Sequence, residues 1–261
     1  MIIYYLIIIT YLVILVDWVS AWLGRFYSKL FLCFGDEPFS LEEVRREMGL
    51  DGQRLRVMLS RLREAGYVER EARGVYRALD PVLVLVGVVC GDWERRVRQK
   101  EYVPLIRRFL VEVFRGYGGR VCSVVLFGSV ARGVAGVSSD LDLLLVVRGL
   151  PGRYGERVRE LSGVLEGLTR VKLDLWRSRG IFADVNVVLL TPKEAAVTQP
   201  FYLDMVADSV IIYDRNNFMR GVLGGLRAKL ERLGAKKIVT PSGGWFWQLK
   251  DRIGAGEVVE L

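Results

Sequence analysis

The chain has 261 residues, of which 51% are hydrophobic and 26% are charged, so it is long enough for two modest domains that each bury a core. Lysine and arginine outnumber aspartate and glutamate by 38 to 30, and the net charge of +8 suits an anionic partner such as a nucleotide or a nucleic acid. The sequence contains no histidine, which excludes histidine general bases, histidine-activated nucleophiles and histidine-containing zinc sites.

Residues 1–18 form an apolar segment whose composition differs from that of the rest of the chain. The first sixteen residues carry no charge and contain as many isoleucines as all the following residues together. A membrane span requires about twenty apolar residues, whereas Asp17 interrupts this run, and no lysine or arginine precedes it as in a signal peptide. We therefore interpret the segment as translation from a start codon assigned too early, with a membrane anchor or a buried helix as the alternatives.

The cysteines bear on the cellular compartment. Cys33, Cys90 and Cys122 are far apart and have apolar neighbours in the sequence. Their odd number and wide spacing predict buried thiols rather than disulfides or a metal cluster. We expect a cytoplasmic protein without a membrane partner, or a membrane-tethered protein if residues 1–18 are translated.

Residues 19–80 show the pattern of a small helical domain that ends in a β-hairpin. The first predicted helix repeats apolar residues every four positions. Ser40 and Glu43 form a capping box that opens a second helix. A third helix ends at Gly66, and two alternating segments around Gly74 predict the hairpin.

Three helices followed by a hairpin resemble a winged helix-turn-helix domain, in which the third helix enters the DNA major groove and the hairpin contacts the backbone. The resemblance implies phosphate contacts from the basic residues of these two elements. They are Arg54, Arg56, Arg61, Arg63 and Arg73. The alternative is a solvated basic face on a domain that docks a protein or dimerises, because the third helix also holds Glu64 and few residues that read base edges.

The remainder divides into three predicted regions. Residues 81–101 are predicted to be a linker that begins with an apolar helix or strand. Residues 102–214 form a predicted core that includes a mostly helical segment over residues 154–179. Residues 215–261 form a predicted accessory region with a basic helix and aromatic side chains.

The residues that carry chemistry lie between positions 124 and 147. One apolar run ends at Gly128 and Ser129, and a second opens with Asp140 and Asp142. Because successive side chains of a strand point to opposite faces, the two carboxylates share one face. Their repulsion is relieved by a divalent cation such as Mg²⁺ or Mn²⁺. Gly128 permits the close approach of a phosphate, and Ser129 supplies hydrogen-bond donors.

The sequence FGSVARG at residues 127–133, followed by SSDLDLLL at residues 138–145, resembles the DNA polymerase β-type nucleotidyltransferases, in particular their minimal branch. The resemblance implies an α+β (α/β mixed) fold, with a core of a small mixed sheet flanked by helices behind the N-terminal winged-helix domain. It also implies that Asp140 and Asp142 are catalytic metal ligands. Gly128, Ser129 and Arg132 would bind the nucleotide.

In this superfamily a third acid on a neighbouring strand completes the metal site and deprotonates the attacking hydroxyl. Asp184 and Asn186 share one face of a strand predicted over residues 183–190. Only Asp184 can bind a metal as an anion or accept a proton. Asp184 is therefore the expected third catalytic residue, and Asn186 is the alternative that would leave transfer slow or absent. Asp174 is a weaker rival, because the sequence around it is typical of a helix.

The expected function is the metal-dependent transfer of a nucleoside monophosphate from an NTP, ATP first, to a hydroxyl acceptor, with release of pyrophosphate. The acceptor class is left open between a protein, a small molecule and a nucleic acid. The alternative function is a DNA-binding regulator, or an antitoxin-like protein with a toxin-like partner, that senses a nucleotide without turnover.

Overall fold

The computed structural model describes residues 20–91, 93–240 and 245–250, and the predicted apolar segment 1–18 lies outside them. The chain divides into two compact units after Gly91. Across the described residues, no helix is both long and apolar enough to cross a membrane. The combination of helices with small antiparallel and mixed sheets confirms the predicted α+β class.

The first unit combines helices with a small antiparallel sheet. In chain order its elements are α1 (Ala21–Phe34), β1 (Pro38–Ser40), α2 (Leu41–Met48), α3 (Gly52–Glu64), β2 (Val68–Ala72), β3 (Val75–Ala78) and α4 (Pro81–Cys90). The predicted capping box opens α2, since the Ser40 side chain accepts from the backbone N–H of Glu43 and the Glu43 carboxylate accepts from that of Ser40. Asp51 caps α3 without a reciprocal bond, since its carboxylate accepts from the backbone N–H groups of Gln53 and Arg54.

The predicted hairpin forms between β2 and β3. Gly74 lies in its turn with a φ of +79°, a left-handed conformation that glycine adopts without strain. A short strand that the sequence analysis did not identify, β1, pairs with β3 and gives the order β1-β3-β2. Leu55, Leu59 and Leu62 of α3 pack with Phe39 of β1 in one core.

Much of the predicted linker at residues 81–101 is packed. The carboxylate of Asp80 accepts from the backbone N–H of Val82 and caps α4, whose Val84 joins the core of the first unit. Trp93 and Val97 are buried and belong to the second unit. The apolar run at the start of this segment is thus a helix rather than a strand.

The second unit is built around a four-stranded sheet. Its elements are α5 (Trp93–Arg96), α6 (Val103–Tyr117), β4 (Val121–Phe127), α7 (Gly128–Arg132), β5 (Leu141–Val147), α8 (Tyr154–Glu166), α9 (Thr169–Arg179), β6 (Val185–Leu190), α10 (Pro192–Ala195), α11 (Tyr202–Asp208), β7 (Val210–Asp214), α12 (Phe218–Leu233), β8 (Lys236–Val239) and β9 (Trp245–Gln248). Single 3₁₀ turns precede α6, β4 and α12.

The strand order of this sheet is β6-β5-β4-β7, with β5 and β6 parallel and the other neighbours antiparallel. Strand β5 is buried from Leu143 to Val147, and its Leu144 and Val146 lie in a core that helices cover. Helices α11 and α12 supply Met205 and Met219 to the core against β4 and β5. The strand, short helix and strand predicted around the glycine turn are β4, α7 and β5.

The accessory region continues the second unit. Strands β8 and β9 form an antiparallel hairpin. Trp247 packs against the core that holds Met219, and the Lys237 ammonium lies 4.5 Å from the centre of the Trp245 ring. The aromatic residues of this hairpin thus contribute to packing.

The prediction of three buried thiols is correct only for Cys122. Cys33 is exposed on α1, and Cys90 is half-buried at the end of α4. Apolar neighbours in the sequence do not determine burial here, because a helix turns successive residues toward different faces.

Candidate active site

The glycine turn and the paired acids lie against each other at one end of the sheet. Strand β4 ends at Phe127, which is in register with Asp142 of β5. Gly128 follows with a φ of +72°, and a Cβ atom at this position would overlap the Asp142 carboxylate. Both the conformation and the space therefore require glycine at this position.

Asp140 lies one residue before β5 and Asp142 is the second residue of that strand, so strand alternation places both carboxylates on one face. Asp140 is exposed and Asp142 is half-buried. Burial raises the pKa of Asp142, and the charge of Asp140 raises it as well. A hydrogen bond from Asn186 and the charge of Arg132 act in the opposite direction on this pKa. The pair is thus a site of unfavourable negative charge that a cation would relieve.

Asn186, and not Asp184, contacts the pair of acids. In the parallel ladder Asn186 is in register with Asp142, and its Nδ2 donates a hydrogen bond to Oδ1 of Asp142 at 3.1 Å. Asn186 thus occupies the position on the neighbouring strand at which the resemblance implied a third acid. The residue in contact with Asp142 is therefore a neutral amide.

Asp184 lies one residue before β6, and its carboxylate is held elsewhere. Its Oδ1 accepts from Nζ of Lys172 at 2.6 Å and from the backbone N–H of Val185 at 3.0 Å. The hydrogen bond from Lys172, followed by that from Val185, lowers the pKa of Asp184. The Asp184 side chain is 72% exposed.

The donor set fits a hard divalent cation, although it is not a cluster of three acids. Over the residues that the structure describes, no group of three histidine, cysteine, aspartate or glutamate side chains could hold a metal. Asp140 and Asp142 offer carboxylate oxygens, whereas Asn186 presents its amide nitrogen to Asp142 as a hydrogen-bond donor. Mg²⁺ and Mn²⁺ prefer oxygen ligands of these kinds.

Arg132 lies in α7 and acts electrostatically on two acids. Its charge lowers the pKa of Asp142 and also that of Asp204 in α11. Burial raises the pKa of Asp204 by more than Arg132 lowers it. No sequence motif indicates Asp204, because only the return of the chain in α11 brings it near Arg132.

The loop of residues 133–140, which joins the glycine turn to the acids, is fastened by Gln99. The backbone N–H of Ala135 donates to Oε1 of Gln99 at 2.9 Å, and Nε2 of Gln99 donates to the Ala135 carbonyl at 2.9 Å. A side-chain amide thus satisfies both backbone groups of one loop residue.

Two neighbours of Gln99 hold this loop and the end of α7 that precedes it. Nη1 of Arg98 donates to the carbonyl of Arg132 at 2.7 Å, and the hydroxyl of Tyr102 donates to the carbonyl of Gly136 at 3.2 Å. We call residues 98–102 the loop clamp. The role of these residues leaves no motif in the sequence, because they contact loop backbone, and most of them lie in the predicted linker.

A second candidate site is the exposed face of α3 in the first unit. The arginines predicted to contact DNA are exposed there, and Arg73 is exposed at the hairpin turn. With about 3.6 residues per turn, one stripe of α3 points directly away from the buried leucines. That stripe comprises Gln53, Val57, Ser60 and Glu64. Arg54 and Arg61 flank it on one side, and Arg56 and Arg63 flank it on the other. The guanidinium of Arg61 also lies 5.6 Å from the centre of the Trp22 ring.

Two family models match parts of the chain, one in each unit. Residues 106–202 match the family model described as nucleotidyltransferase domain. Residues 29–78 match the model described as transcriptional regulator, AbiEi antitoxin. The resemblance to nucleotidyltransferases is thereby confirmed, and the second unit carries a nucleotidyltransferase domain.

The individual proteins and structures to which the chain is similar share less than a third of the aligned residues with it. "Putative protein adenylyltransferase MJ1305" from Methanocaldococcus jannaschii is 29% identical over 132 residues, which cover 49% of this chain and 83% of that protein. A solved structure from Sulfolobus solfataricus, described as a putative nucleotidyltransferase, is 23% identical and aligns over 46% of this chain and 86% of its own, with a TM-score of 0.30. A toxin-antitoxin structure with AMP-PNP is 12% identical and aligns over 48% and 90%, with a TM-score of 0.31. Since both TM-scores are low, the assignment depends on the family match and on the M. jannaschii relative.

Proposed function

We propose that the second unit transfers a nucleoside monophosphate from an NTP, with ATP as the donor, to a hydroxyl group of a protein. The nucleotidyltransferase family match supports the reaction class, and the name of the M. jannaschii relative supports an adenylyl group and a protein acceptor. The observation that carries the proposal is the contact of Gly128 with Asp142, which joins a phosphate-binding turn to a pair of carboxylates.

Each part of the site has a role in this reaction. The backbone and hydroxyl donors at Gly128 and Ser129 bind the β- and γ-phosphates, and Arg132 offsets part of their charge. Asp140 and Asp142 hold the divalent cations, which when bound stabilise charge on the attacking and leaving oxygens. The acceptor oxygen forms a bond to the α-phosphorus, the bond from that phosphorus to the bridging oxygen breaks, and pyrophosphate leaves.

The proton of the acceptor hydroxyl requires a base, and Asp184 is the proposed one. Asn186 is excluded because an amide accepts no proton at neutral pH. The lowered pKa of Asp184 makes it a weak base until Lys172 releases it. We therefore expect slower transfer than from a site in which a third carboxylate contacts the pair.

Label transfer tests this proposal. The full chain is incubated in host lysate with Mg²⁺ or Mn²⁺ and with ATP, CTP, GTP or UTP labelled with ³²P at the α-position. We expect label from ATP on a macromolecule, and loss of that label in Asp142→Asn. Asp174→Asn removes an exposed acid on α9 and serves as the matched control, which should retain the label. Label that survives in Asp142→Asn would contradict the proposed site.

A second proposed function, DNA binding by the first unit, is favoured by the arrangement of α3. Gln53 and Ser60 can hydrogen-bond base edges, and Val57 can contact a thymine methyl group. The arginine pairs on both flanks of this stripe suit the phosphates on the two sides of a major groove. The family description of residues 29–78 supports a regulator, and it equally supports a toxin-like partner protein.

The arginine pair that does not stack on Trp22 provides the DNA test. We expect Arg56→Ala combined with Arg63→Ala to weaken binding to fragments of host DNA and to reduce the salt slope by roughly two. The control is Lys229→Ala combined with Arg232→Ala, which removes the same charge from exposed positions of α12. Equal losses in both double variants would indicate general attraction between the basic chain and DNA rather than a site on α3.

A further inference from the structure

We infer that the acceptor protein docks on the β6 side of the active site, on exposed apolar side chains of Phe182, Val137 and Trp176. We call these three residues the acceptor rim. The inference rests on the proposed transfer reaction, and it names the surface that brings the acceptor hydroxyl to the α-phosphorus.

The order of the strands determines the side from which the acceptor arrives. Gly128 and Ser129 follow β4, Asp140 and Asp142 lie at the start of β5, and Asn186 lies on β6, and these strands are neighbours in that order. With the β- and γ-phosphates bound at the end of β4, the leaving group lies on that side of the α-phosphorus. An in-line displacement requires attack from the opposite side. The acceptor hydroxyl therefore arrives over β6.

The residues that lead into β6 alternate between buried and exposed positions. The buried members are Ile181, Ala183 and Val185, at 8%, 4% and 8% exposure. Phe182 lies between two of them and is 70% exposed. In an extended chain this alternation places Phe182 on the same face as Asp184 and Asn186, roughly 13 Å along the chain from the latter. An exposed aromatic ring thus lies on the acceptor's path.

Val137 extends this apolar surface beside β5. The backbone N–H of Phe182 donates to the carbonyl of Val137 at 2.8 Å, and Val137 is 63% exposed. Hydrogen bonds hold the surrounding loop, because the backbone N–H of Gly136 donates to Oγ of Ser139 at 2.9 Å and the loop clamp holds the carbonyl of Gly136. The backbone that carries these two exposed apolar side chains is therefore already ordered, which lowers the entropic cost of binding a partner.

Trp176 adds a second aromatic side chain on α9. It lies one helical turn after Lys172, and residues four apart share one side of a helix. The contact of Lys172 with Asp184 turns this side toward the entrance of β6. Trp176 is 52% exposed. Exposed tryptophan and phenylalanine side chains are typical anchors of protein interfaces.

The charges near the rim favour a polypeptide over a nucleic acid. Asp140 and Asp184 are negative, while Lys172 and Arg179, on the same side of α9, are positive, so the local charge is balanced. Sites for nucleic acids need an excess of positive charge to neutralise phosphates. Protein interfaces instead combine aromatic anchors with few uncompensated charges. The occupant is therefore a polypeptide segment that presents a hydroxyl side chain.

Two variants of the full chain test the inference. One combines Phe182→Ala with Val137→Ala, and the other carries Trp176→Ala alone. We expect each to reduce label transfer from α-³²P-ATP to lysate protein, the double variant by roughly tenfold or more. Binding of a fluorescent ATP analogue with Mg²⁺ should be unchanged. The matched control is Tyr154→Ala, which removes an aromatic side chain that is 81% exposed on α8 and should leave both readings unchanged.

Each contrary outcome has a distinct meaning. Undiminished labelling in both rim variants overturns the acceptor rim, and so does a parallel loss of nucleotide binding, because the rim would then hold the nucleotide. Label that nuclease removes and protease does not identifies a nucleic-acid acceptor and overturns the inference as well. If the wild-type chain labels nothing, the proposed transfer reaction itself is wrong. This result is distinguishable from failure of the acceptor rim, because the rim variants are compared with a wild-type chain that does transfer label.

Discussion

Asp142 is less stable as an anion than an exposed aspartate, because burial and the charge of Asp140 raise its pKa. A raised pKa in the folded state means that folding is favoured when this carboxyl is protonated. The stabilisation is complete below the ordinary aspartate pKa of about 3.9 and is lost as the pH rises through the raised value. At neutral pH without a cation, the ionised Asp142 therefore weakens the fold.

The first prediction follows from the direction of this pKa shift. Asp142→Asn should raise the melting temperature at pH 7 in the presence of a chelator, and the difference from wild type should shrink as the pH falls toward the ordinary aspartate pKa. Thermal unfolding over a pH series measures it, with Asp174→Asn as the control that shows no such trend. A lower melting temperature of Asp142→Asn at pH 7 would contradict the electrostatic account of this site.

The second prediction concerns the amide beside Asp142. Asn186→Asp adds a carboxylate in register with Asp142. We expect tighter binding of Mn²⁺, measured by electron paramagnetic resonance titration, and faster label transfer. Without metal the extra like charge should lower the melting temperature at neutral pH. Asn216→Asp, which adds the same charge after β7 at the other edge of the sheet, should change none of these readings. Unaltered Mn²⁺ affinity in Asn186→Asp would show that this position does not contribute to a cation site.

At the residue scale, the local sequence pattern was sufficient to predict where some site residues lie and insufficient for others. The spacing of Gly128 and Asp142 predicted that a glycine turn and two acids meet, because strand alternation and one tight turn decide that arrangement. The choice between Asp184 and Asn186 depended on the register of β5 with β6, two strands far apart in the sequence. Alternation places both residues on one face and cannot distinguish them.

At the scale of elements, the helices and strands of the second unit follow the apolar periodicity, and the exceptions have tertiary causes. The segment of residues 154–179, predicted to be mostly helical, is divided at Gly167 into α8 and α9. A Cβ atom at Gly167 would lie 2.6 Å from the Glu112 carboxyl carbon of α6, so the break lets another helix approach. Strand β1 was missed because three residues show no period, and only its pairing with β3 defines it.

The third prediction concerns α10, which is attached at the end of β6. Its capping box of Thr191 and Glu194 is joined to α8 by the ion pair of Glu194 with Arg157. Arg157, followed by the Thr191 N–H, lowers the pKa of Glu194 to about 2. Because this pKa is lowered, the contact stabilises the fold above the ordinary glutamate pKa of about 4.3 and is lost as the pH falls toward the lowered value.

Glu194→Gln should therefore lower the melting temperature at neutral pH and leave it unchanged near the lowered pKa. The decrease should be small, because the Glu194 side chain is 41% exposed and solvent screens the pair. Circular dichroism melts at the two pH values measure it, with Glu166→Gln as an exposed control. A difference that persists in strong acid would assign the effect to the loss of a cap rather than to the ion pair.

At the scale of the whole molecule, the sequence was sufficient to predict the α+β class and the nucleotidyltransferase domain. The boundary between the units was harder to predict from the sequence. An apolar run such as residues 83–89 is compatible with a helix or a strand, and only its packing shows to which unit it belongs. The overall charge of +8 likewise does not show where positive charge is used. The positive charge that could bind an anionic partner lies on the flanks of α3, whereas the acceptor rim has equal numbers of positive and negative side chains nearby.

The fourth prediction is that the two proposed activities separate in the full chain. Asp142→Asn should lose label transfer and keep its affinity for DNA. Arg56→Ala combined with Arg63→Ala should show the reverse pattern. Fluorescence anisotropy with host DNA fragments and the labelling assay, applied to both variants, measure the two activities. A variant that loses both would show that the units depend on each other.

The loop clamp has a consequence for the engineering and evolutionary exchange of this catalytic unit. The matched nucleotidyltransferase domain begins at residue 106, whereas Arg98, Gln99 and Tyr102, which hold the loop between the glycine turn and the acids, precede it. A unit cut at the family boundary and grafted onto another recognition domain would carry every motif residue yet lose the side chains that space them. A transplantable form of this enzyme has to start before Trp93, so that the fusion joint falls in the short stretch between α4 and α5 rather than inside the support of the site.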